Sequence, residues 1–445
     1  MLAFTHVFPL PVRIIRQRRE FRRRGIVNKH PPPLAAVFHV PPAAPAAGAM
    51  ERAGVRTTWL VVWCQVAHGL TFTAIPLLLP LVRADLGISF TQAGMLSAVA
   101  TLSYALGQIP AGFLADRFGS RRPFFIGLLG WSALSLGFGL IHVFWLALVS
   151  QFVAGAFRAL MFAPGLTLLA SWFPPQRRAT AMGLYMVGGF VGNIVLALAG
   201  PLLTELYGWR VALMLLAVPG LIAALVFKAA GKEQPRGQPA ARLALSEIAQ
   251  LARHPIMWVC CALQVARFLV VTAFVVWLPS LLVADRGFSV QTAGLIVAMG
   301  AALTAASNIV GGYVSDRLRN PPLVIGGAFA VLACASALLV AVESLPLLFA
   351  VIAVSAIFLQ FYFGPLFLVP VEVLGPRIAG TATGVGNLFA NLGGFVTAYV
   401  FGVVKDHAGS FAWGYRGISV ICVAGVVLSI VLARVRRRAL AGPAL

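Results

Sequence analysis

The feature that most limits the fold of this chain is a series of apolar stretches, each long enough to cross a membrane, separated by short polar segments. A helix rises about 1.5 Å per residue, so about 20 apolar residues cross a hydrocarbon layer of about 30 Å. The 445 residues are 60% hydrophobic and only 10% charged, which leaves too few polar side chains to cover a soluble protein of this size. The sequence therefore predicts an all-α integral membrane protein.

The longest internal polar stretch divides these apolar segments into two sets of six. We therefore predict twelve transmembrane helices in two pseudo-symmetric six-helix bundles, 57–228 and 256–434, joined by a cytoplasmic linker, 229–255. Residues 1–56 are first basic and then rich in Pro and Ala, so this tail is predicted to be disordered. Residues 435–445 are predicted to form a cytoplasmic tail.

Met50 lies just ahead of the first apolar segment, which makes it a candidate for the true translation start. The basic run that precedes it is not followed by a compact apolar run before the proline cluster. A cleaved signal peptide is therefore not expected.

The basic residues are placed on one side of the predicted membrane. The formal net charge is +22, which on its own would also suit a nucleic-acid-binding protein. Almost all Lys and Arg residues, however, fall in the tails, the linker and alternate loops, whereas the opposite loops contain only Arg83, Arg210, Arg286, Lys405 and Arg416. Loops rich in Lys and Arg stay in the cytoplasm. We therefore predict cytoplasmic N- and C-termini, a location in the cytoplasmic (inner) membrane and no nucleic-acid partner.

The two halves of the sequence repeat each other at a nearly constant offset of about 200 residues, which is typical of transporters built from a duplicated unit. Identical residues recur at this spacing in the predicted helices and in the loops that follow them. The pairs include Gln65 with Gln264, Pro80 with Pro279, Asp85 with Asp285, Gly94 with Gly294, Asp116 with Asp316, and Arg117 with Arg317. A duplicated six-helix unit explains these matches.

The loop after the second predicted helix reads GFLADRFGSRR, and the second half has a shorter copy, GYVSDRLRN. Both resemble the signature loop of the major facilitator superfamily, a family of membrane transporters with the twelve-helix fold. The resemblance implies a conformational latch between inward-open and outward-open states. The matching residues are Gly112, Asp116, Arg117, Gly119 and Arg121 in the first copy and Gly312, Asp316 and Arg317 in the second. The copies depart from the family pattern at Ser120 and Arg319.

Other segments resemble the branch of this superfamily that carries organic or inorganic anions. They are WFPPQRRATAMG at 172–183, the triplet Gly208-Trp209-Arg210, and the Gly and Asn residues of the eleventh predicted helix. The signature of drug antiporters requires a proline where this chain has Asn193. An efflux antiporter for an amphipathic drug-like compound is therefore the weaker alternative.

Three ionisable side chains fall deep inside predicted helices, namely His68, Arg158 and Arg267. Such groups cost at least ~2.5–3.5 kcal/mol on insertion scales and are expected to have a functional partner. His68 and Arg267 occupy the same place in the repeat, each three residues after a glutamine, Gln65 or Gln264. The family resemblance implies that helices 1, 4, 7 and 10 line a central cavity, and these residues lie on three of those four.

The 12 Asp and Glu residues all fall in tails, loops or helix ends, so the two arginines have no acidic neighbour in the membrane. Because Arg stays protonated, a bound anion is the expected partner. We predict a substrate site formed by Arg158, Arg267, His68, Gln65, Gln264, Gln360 and Tyr362. The alternatives are that each arginine binds backbone carbonyls or extends to the membrane edge, and that His68 is a packing residue.

The predicted function is secondary active transport of a small organic anion, by proton symport or anion exchange, with His68 as the candidate proton carrier. A non-transporting membrane sensor on the same fold is the alternative from another class. No nucleophile with a base, clustered metal ligands or phosphate-binding loop is evident, so neither enzyme activity nor a metal or cofactor is expected. The five cysteines lie in apolar stretches and are predicted to be buried free thiols. A monomer is expected.

Overall fold

The computed structural model describes residues 47–173, 178–234, 253–375 and 379–441. Most of the predicted tail 1–56, most of the predicted linker and the end of the tail 435–445 lie outside these residues, as do positions 174–177 of the segment WFPPQRRATAMG. The regular structure of the described residues is entirely helical, which confirms the predicted fold class at that level.

The helices follow one another along the chain and are numbered here in that order. They are α1 Ala47–Phe72, α2 Ala74–Leu86, α3 Phe90–Phe118, α4 Arg121–Phe138, α5 Phe144–Ser171, α6 Arg178–Ala230, α7 Pro255–Thr272, α8 Leu278–Ala284, α9 Val290–Leu318, α10 Pro321–Ala341, α11 Leu345–Leu359, α12 Phe363–Leu374, α13 Ala379–Ala408 and α14 Ala412–Ala441. We refer to α1–α6 as the first half and to α7–α14 as the second half.

Ten helical stretches among the described residues are long and apolar enough to cross a membrane. The longest, Ala181–Ala230, has 50 residues, more than twice the ~20 that one crossing needs. Gly208 interrupts it with a φ of 78°, a left-handed conformation that redirects the chain and that glycine adopts without steric cost. The 18-residue α4 is not among the ten.

The first helix begins at Ala47, earlier than predicted. Residues 47–56 were assigned to the disordered tail, but in the structure they belong to α1. No proline follows Pro45 before the apolar segment, and Ala, Glu and Arg in this stretch are good helix formers. The prediction was therefore wrong for these ten residues because the apolar segment alone was used to locate the start of the helix.

Two spanning stretches are interrupted at equivalent places in the repeat, each just ahead of a proline, although the two prolines are not themselves equivalent. α1 and α2 are separated at Thr73, just ahead of Pro76, and α7 and α8 are separated by a π-helix, Ala273–Trp277, just ahead of Pro279. A proline has no N–H for the carbonyl four residues earlier and its ring crowds that carbonyl. The two halves therefore have a local irregularity at the same level in the first helix of each repeat.

A third break lies between α11 and α12, at residues 360–362. Pro365 leaves the carbonyl of Phe361 without its helical donor. Gly311 of α9 packs against this carbonyl so closely that an added Cβ would lie 1.8 Å from the oxygen. The corresponding helix of the first half, α5, continues through Pro164. This difference places Gln360 at a free helix end, whereas α5 offers no such residue.

The prediction that all five cysteines are buried free thiols is correct for four of them and wrong for one. Cys64, Cys260, Cys261 and Cys422 are buried free thiols, but Cys334 is exposed on the surface of α10. An apolar stretch in a membrane protein does not have to face the protein interior, because lipid is equally apolar.

Candidate functional site

Arg267 lies at the centre of a cluster that also contains Gln264 and Gln360, and we call these three residues the Arg267 cluster. Arg267 is only 1% exposed. Its Nε donates to Oε1 of Gln264 at 2.8 Å, and one terminal nitrogen donates to Oε1 of Gln360 at 3.1 Å. Gln264 lies one turn away on α7, and Gln360 is available because the helix ends there. The structure therefore brings together three of the predicted site residues, from two different helices.

Aromatic rings surround the Arg267 guanidinium. Its central carbon lies 4.6 Å from the ring centre of Phe268, 5.1 Å from that of Phe363 and 6.0 Å from that of Phe367. Tyr362 is fully buried, and its hydroxyl has no partner among the described residues. The electron-rich ring faces stabilise a cation without neutralising it, so the positive charge of Arg267 remains available to a ligand.

Arg158 is surrounded differently. Its guanidinium carbon lies 4.2 Å from the ring centre of Phe72 and 4.0 Å from that of Tyr104. Within the described part of the chain, Arg158 has neither a hydrogen bond nor an ion pair. It is half-buried, so a molecule between the helices can reach it. The Arg158 cluster, which we define as Arg158, Phe72, Tyr104 and His68, therefore has a cation whose N–H groups are free.

His68 shares an aromatic neighbour with Arg158. Its ring stacks on Phe72 with centroids 5.5 Å apart and contacts Trp131 at 5.2 Å, while its Nε2 is buried without a partner. One turn earlier, Gln65 is 7% exposed, and its Oε1 is also buried without a partner. Both predicted residues thus present unused polar atoms on the same helix, beside the Arg158 cluster.

Three of the acidic side chains that the structure describes pair with basic residues other than the two arginines. Asp85 pairs with Arg210 at 2.5 Å, Asp285 pairs with Lys405, and Glu372 pairs with Arg436 at 2.5 Å. These pairs lie at helix ends. No ion pair of Arg158 or Arg267 occurs among the described residues, which is the arrangement expected from the sequence.

A narrow crevice extends from the Arg267 cluster between α7, α12 and α13. Its wall contains Gln264 together with Phe367 and Gly386. Because Gln264 belongs both to the crevice and to the Arg267 cluster, the crevice reaches the side chain that binds Arg267. Gly386 of α13 forms part of the wall. It is one of the glycines through which the eleventh predicted helix resembles anion carriers.

The two halves meet tightly at one end of the bundle, which we call the closed end. It consists of the helix ends around Phe90, Thr91, Glu205, Gln291 and Asp406. Asp406 accepts from the backbone N–H of Phe90 at 3.0 Å and from the N–H and hydroxyl of Thr91 at 2.7 and 2.6 Å. Gln291 donates to Glu205 at 2.8 Å. All four hydrogen bonds that join described residues of the two halves are therefore at this end.

Glycines allow the helices of the closed end to touch. A Cβ on Gly94 would lie 2.3 Å from the carbonyl oxygen of Ala398, and one on Gly294 would lie 2.5 Å from that of Ala197. Gly94 and Gly294 are equivalent in the repeat, so α3 packs on α13 in the same manner as α9 packs on α6. Any side chain at either position would have to separate the halves.

At the opposite end, which we call the open end, four glycines have free space. A Cβ on Gly112, Gly183, Gly312 or Gly384 would meet no heavy atom of the described chain within 4 Å. Two of these, Gly112 and Gly312, are predicted latch residues. The halves are therefore closed at one end and separated at the other.

The first latch loop is bound by a residue that the sequence did not single out. Glu233 accepts from the backbone N–H groups of Ser120 at 2.8 Å and Arg121 at 3.1 Å, at the start of α4. Gly119 has a φ of 87° and leaves room for this carboxylate, because a Cβ there would lie 2.6 Å from Glu233. Arg121 also donates to the carbonyl of Lys228 at 2.6 Å.

The other latch residues have few contacts in this state. Arg117 lies 5.4 Å from the ring centre of its neighbour Phe118. Asp316 and Arg317 have neither a hydrogen bond nor an ion pair with the described residues. The side chain of Asp116 lies outside what the structure describes. Among the latch residues whose side chains the structure describes, Gly119 and Arg121 are the ones engaged in this state.

Sequence reasoning missed the aromatic rings around both arginines and the carboxylates of the closed end. The repeat contained a signal for the latter, because Thr91 and Gln291 are equivalent, as are Glu205 and Asp406 to within one residue. The rings had no comparable signal, since Phe and Tyr are common in every apolar segment.

Comparisons with known proteins concern the family and the fold of the chain. A family model described as the Major Facilitator Superfamily matches residues 61–398. The chain is 26% identical over 376 residues to a "Probable galactarate/D-glucarate transporter" of Bacillus subtilis, which covers 74% of this chain and 81% of that protein. It is 25% identical over 377 residues to the hexuronate transporter of the same organism, with 79% and 87% covered.

A third relative is a "Probable sulfoacetate transporter" of Cupriavidus necator, 25% identical over 362 residues, with 75% of this chain and 83% of that protein covered. Among solved structures, a bacterial homolog to the human lysosomal transporter Spinster superposes with a TM-score of 0.73 at 19% identity, covering 90% of this chain and 100% of that one. The structural likeness concerns the fold alone.

Proposed function

Because this chain belongs to the Major Facilitator Superfamily, we propose that it is a secondary active transporter that moves a small organic anion across the cytoplasmic membrane by alternating access. The observation that carries this proposal is the pair of arginines inside the bundle, neither of which has a carboxylate partner in the described chain. The named relatives are transporters of acids, which supports an anionic cargo and agrees with the prediction that the chain is not an enzyme.

The proposed topology has twelve spans with both termini in the cytoplasm. Gly208 divides α6 into two lengths that each suit one crossing, and α4 supplies a further short span. With this topology the loops rich in Arg lie inside. The closed end then faces outward, and the open end faces the cytoplasm.

The substrate site is proposed to lie between the Arg158 and Arg267 clusters, with Gln65, His68 and Tyr362 contributing the polar atoms that have no partner. Proton symport and anion exchange are both compatible with this site. In symport, His68 would be the proton carrier, because it is the one side chain of the site with an ordinary pKa near neutrality.

The loops at Gly112–Arg122 and Gly312–Asn320 are proposed to act as the conformational latch. Gly112 and Gly312 have free space in the present state, which is expected of contacts that form only when the open end closes. The hydrogen bonds that Glu233 accepts from Ser120 and Arg121 would then maintain the conformation of the first loop while the halves move.

Uptake of labelled acids into proteoliposomes tests the proposed function. We expect galactarate, hexuronate or another small carboxylate to accumulate or exchange, and we expect Arg158→Gln to abolish this flux. Arg416→Gln is the matched control, because Arg416 is an exposed arginine that lies over the ring of Trp413. Flux of an amphipathic cation without flux of any acid would contradict the proposal, as would acid binding without any flux, the result expected of a sensor.

A further inference from the structure

The two arginine clusters leave two positive charges inside the bundle. In the described chain, neither guanidinium has a carboxylate partner, and the buried glutamine oxygens on Arg267 are neutral. A ligand with one negative charge leaves one of these cations uncompensated in a medium of low dielectric constant. A ligand with two negative charges compensates both.

The Arg158 cluster is prepared to bind one acidic group directly. The rings of Phe72 and Tyr104 lie 4.2 and 4.0 Å from its guanidinium carbon and hold the side chain in place. None of its N–H groups donates to a described residue. A guanidinium has five N–H donors in a planar fork, which matches the two oxygens of a carboxylate or sulfonate.

The Arg267 cluster keeps donors for a second acidic group. Two of its five N–H donors bind Gln264 and Gln360, so three remain. The two amides fix the direction of the guanidinium, while Tyr362, fully buried beside it, has a hydroxyl without a partner. A buried polar group without a partner is rare in a folded protein, and a ligand that supplies the partner accounts for it.

The two clusters belong to different halves. Arg158 lies on α5 of the first half, whereas Gln264, Arg267 and Gln360 lie on α7 and at the end of α11 in the second half. An acid group at each end of one molecule would therefore join the halves through the ligand. A molecule with a single acid group would bind one half only.

We infer that the preferred substrate is a small organic dianion with two separated acidic groups, one bound by the Arg158 cluster and the other by the Arg267 cluster. This inference rests on the proposed function and narrows its substrate class. A carrier of monoanions would bind a dicarboxylate and the monoamide of that dicarboxylate with similar affinity.

Matched pairs of ligands that differ by one charge test this inference. Galactarate and galactonate have six carbons each and carry two and one charges at neutral pH, and succinate and succinamate form a second such pair. Binding to the purified full-length protein is measured from the ligand dependence of Tm. We expect the dianion of at least one pair to bind about tenfold tighter or more than its monoanion.

Variants then separate the two clusters. Arg267→Gln removes the second charge, so we expect the affinity for the dianion to fall about tenfold or more while the affinity for the monoanion changes by less than about threefold. Arg158→Gln is expected to weaken both. Arg267→Lys keeps the charge without the fork and should restore part of the preference, and Arg416→Gln should change neither affinity.

The outcomes are distinguishable. Equal affinity for dianion and monoanion in both pairs, or equal loss for both ligands in Arg267→Gln, overturns the inference and leaves anion transport in place. If no acid of either pair binds and proteoliposomes take up none, the proposed function fails as well. A Tm of each unliganded variant close to that of the unmodified protein shows that folding is not the cause of any loss.

Discussion

Both ends of the bundle have glycines on helices of the two halves, but the ends are in opposite states. At the closed end, Gly94 and Gly294 lie against backbone carbonyls, and Asp406 and Glu205 join the halves by hydrogen bonds. At the open end, Gly112 and Gly312 of the latch loops face free space. Helix α3 takes part in both ends, with Gly94 near its start and Gly112 near its finish.

The difference between the closed end and the open end shows how a duplicated unit can alternate between two states. Glycines are present at both ends, but the carboxylates that join described residues of the two halves, Asp406 and Glu205, both lie at the closed end. We call these two carboxylates the clamps. The closed end is therefore stabilised by interactions that the described part of the open end lacks. The clamps also differ from each other. Asp406 receives three hydrogen bonds, two of them from the N-terminal backbone of α3, whereas Glu205 receives one from a side chain.

Pairs of spin labels can report each end separately. Tyr207 and His407 are exposed at the closed end, one in each half, and Phe118 and Leu318 are exposed at the open end in the same way. In the present state the first pair should show a single short distance and the second pair a long one.

Gly94→Leu should have the largest effect. Its Cβ would lie 2.3 Å from the carbonyl of Ala398, so the closed end cannot close without moving backbone. Overpacking of this kind costs about 1–3 kcal/mol or more, and we expect transport to fall about 100-fold with the Tyr207–His407 distance lengthened. An unchanged distance distribution would contradict the closure seen here.

Gly112→Leu makes the same change on the same helix at the open end and is the matched control for Gly94→Leu. Since nothing lies within 4 Å of its Cβ, the present state should be unaffected. If Gly112 is a latch residue, the other state should be blocked. We expect the Tyr207–His407 distance to stay short and transport to fall about tenfold or more. Full transport activity would remove Gly112 from the latch.

Asp406→Ala removes three hydrogen bonds from the closed end. A carboxylate at a helix N-terminus is also favoured by the helix dipole. We expect the fraction of molecules with an open Tyr207–His407 end to rise about tenfold, as measured from the distance distribution. Asp406→Asn, which keeps one acceptor oxygen, should have an intermediate effect, and an effect as large as that of alanine would assign the clamp to charge alone.

Glu205→Ala should have the smallest effect, about twofold or less on the same distance distribution. It removes one exposed hydrogen bond to Gln291, and no backbone donor loses a partner. An effect equal to that of Asp406→Ala would show that the two clamps contribute equally, in spite of their different numbers of hydrogen bonds.

Some parts of the site could be predicted from the sequence because they depend on local patterns. Gln264 and Arg267 share one helical face since they are three residues apart, and their hydrogen bond follows from that spacing. The free end at Gln360 depends on Pro365, which is also visible in the sequence. The sequence placed Gln360 in the predicted substrate site but did not predict that it binds Arg267, and the structure shows these two side chains 3.1 Å apart.

Other parts depend on which helix faces lie opposite each other. The rings that contact Arg158 are those of Phe72 in α1 and Tyr104 in α3. Nothing in the sequence of an apolar segment distinguishes these two aromatic residues from the many that face lipid. Cys334 was misplaced for the same reason. In a membrane, hydrophobicity does not separate inside from outside, so the pattern that locates a core in a soluble protein has little information here.

By itself, the sequence determined that the chain spans a membrane many times, that its halves repeat and that two cations lie inside without acidic neighbours, because length, periodicity and charge are properties of the chain alone. The tertiary structure decided which glycines touch, which carboxylates join the halves and which rings enclose each arginine. Those contacts depend on the rotation and tilt of helices that are apolar on all sides, and only packing sets these quantities.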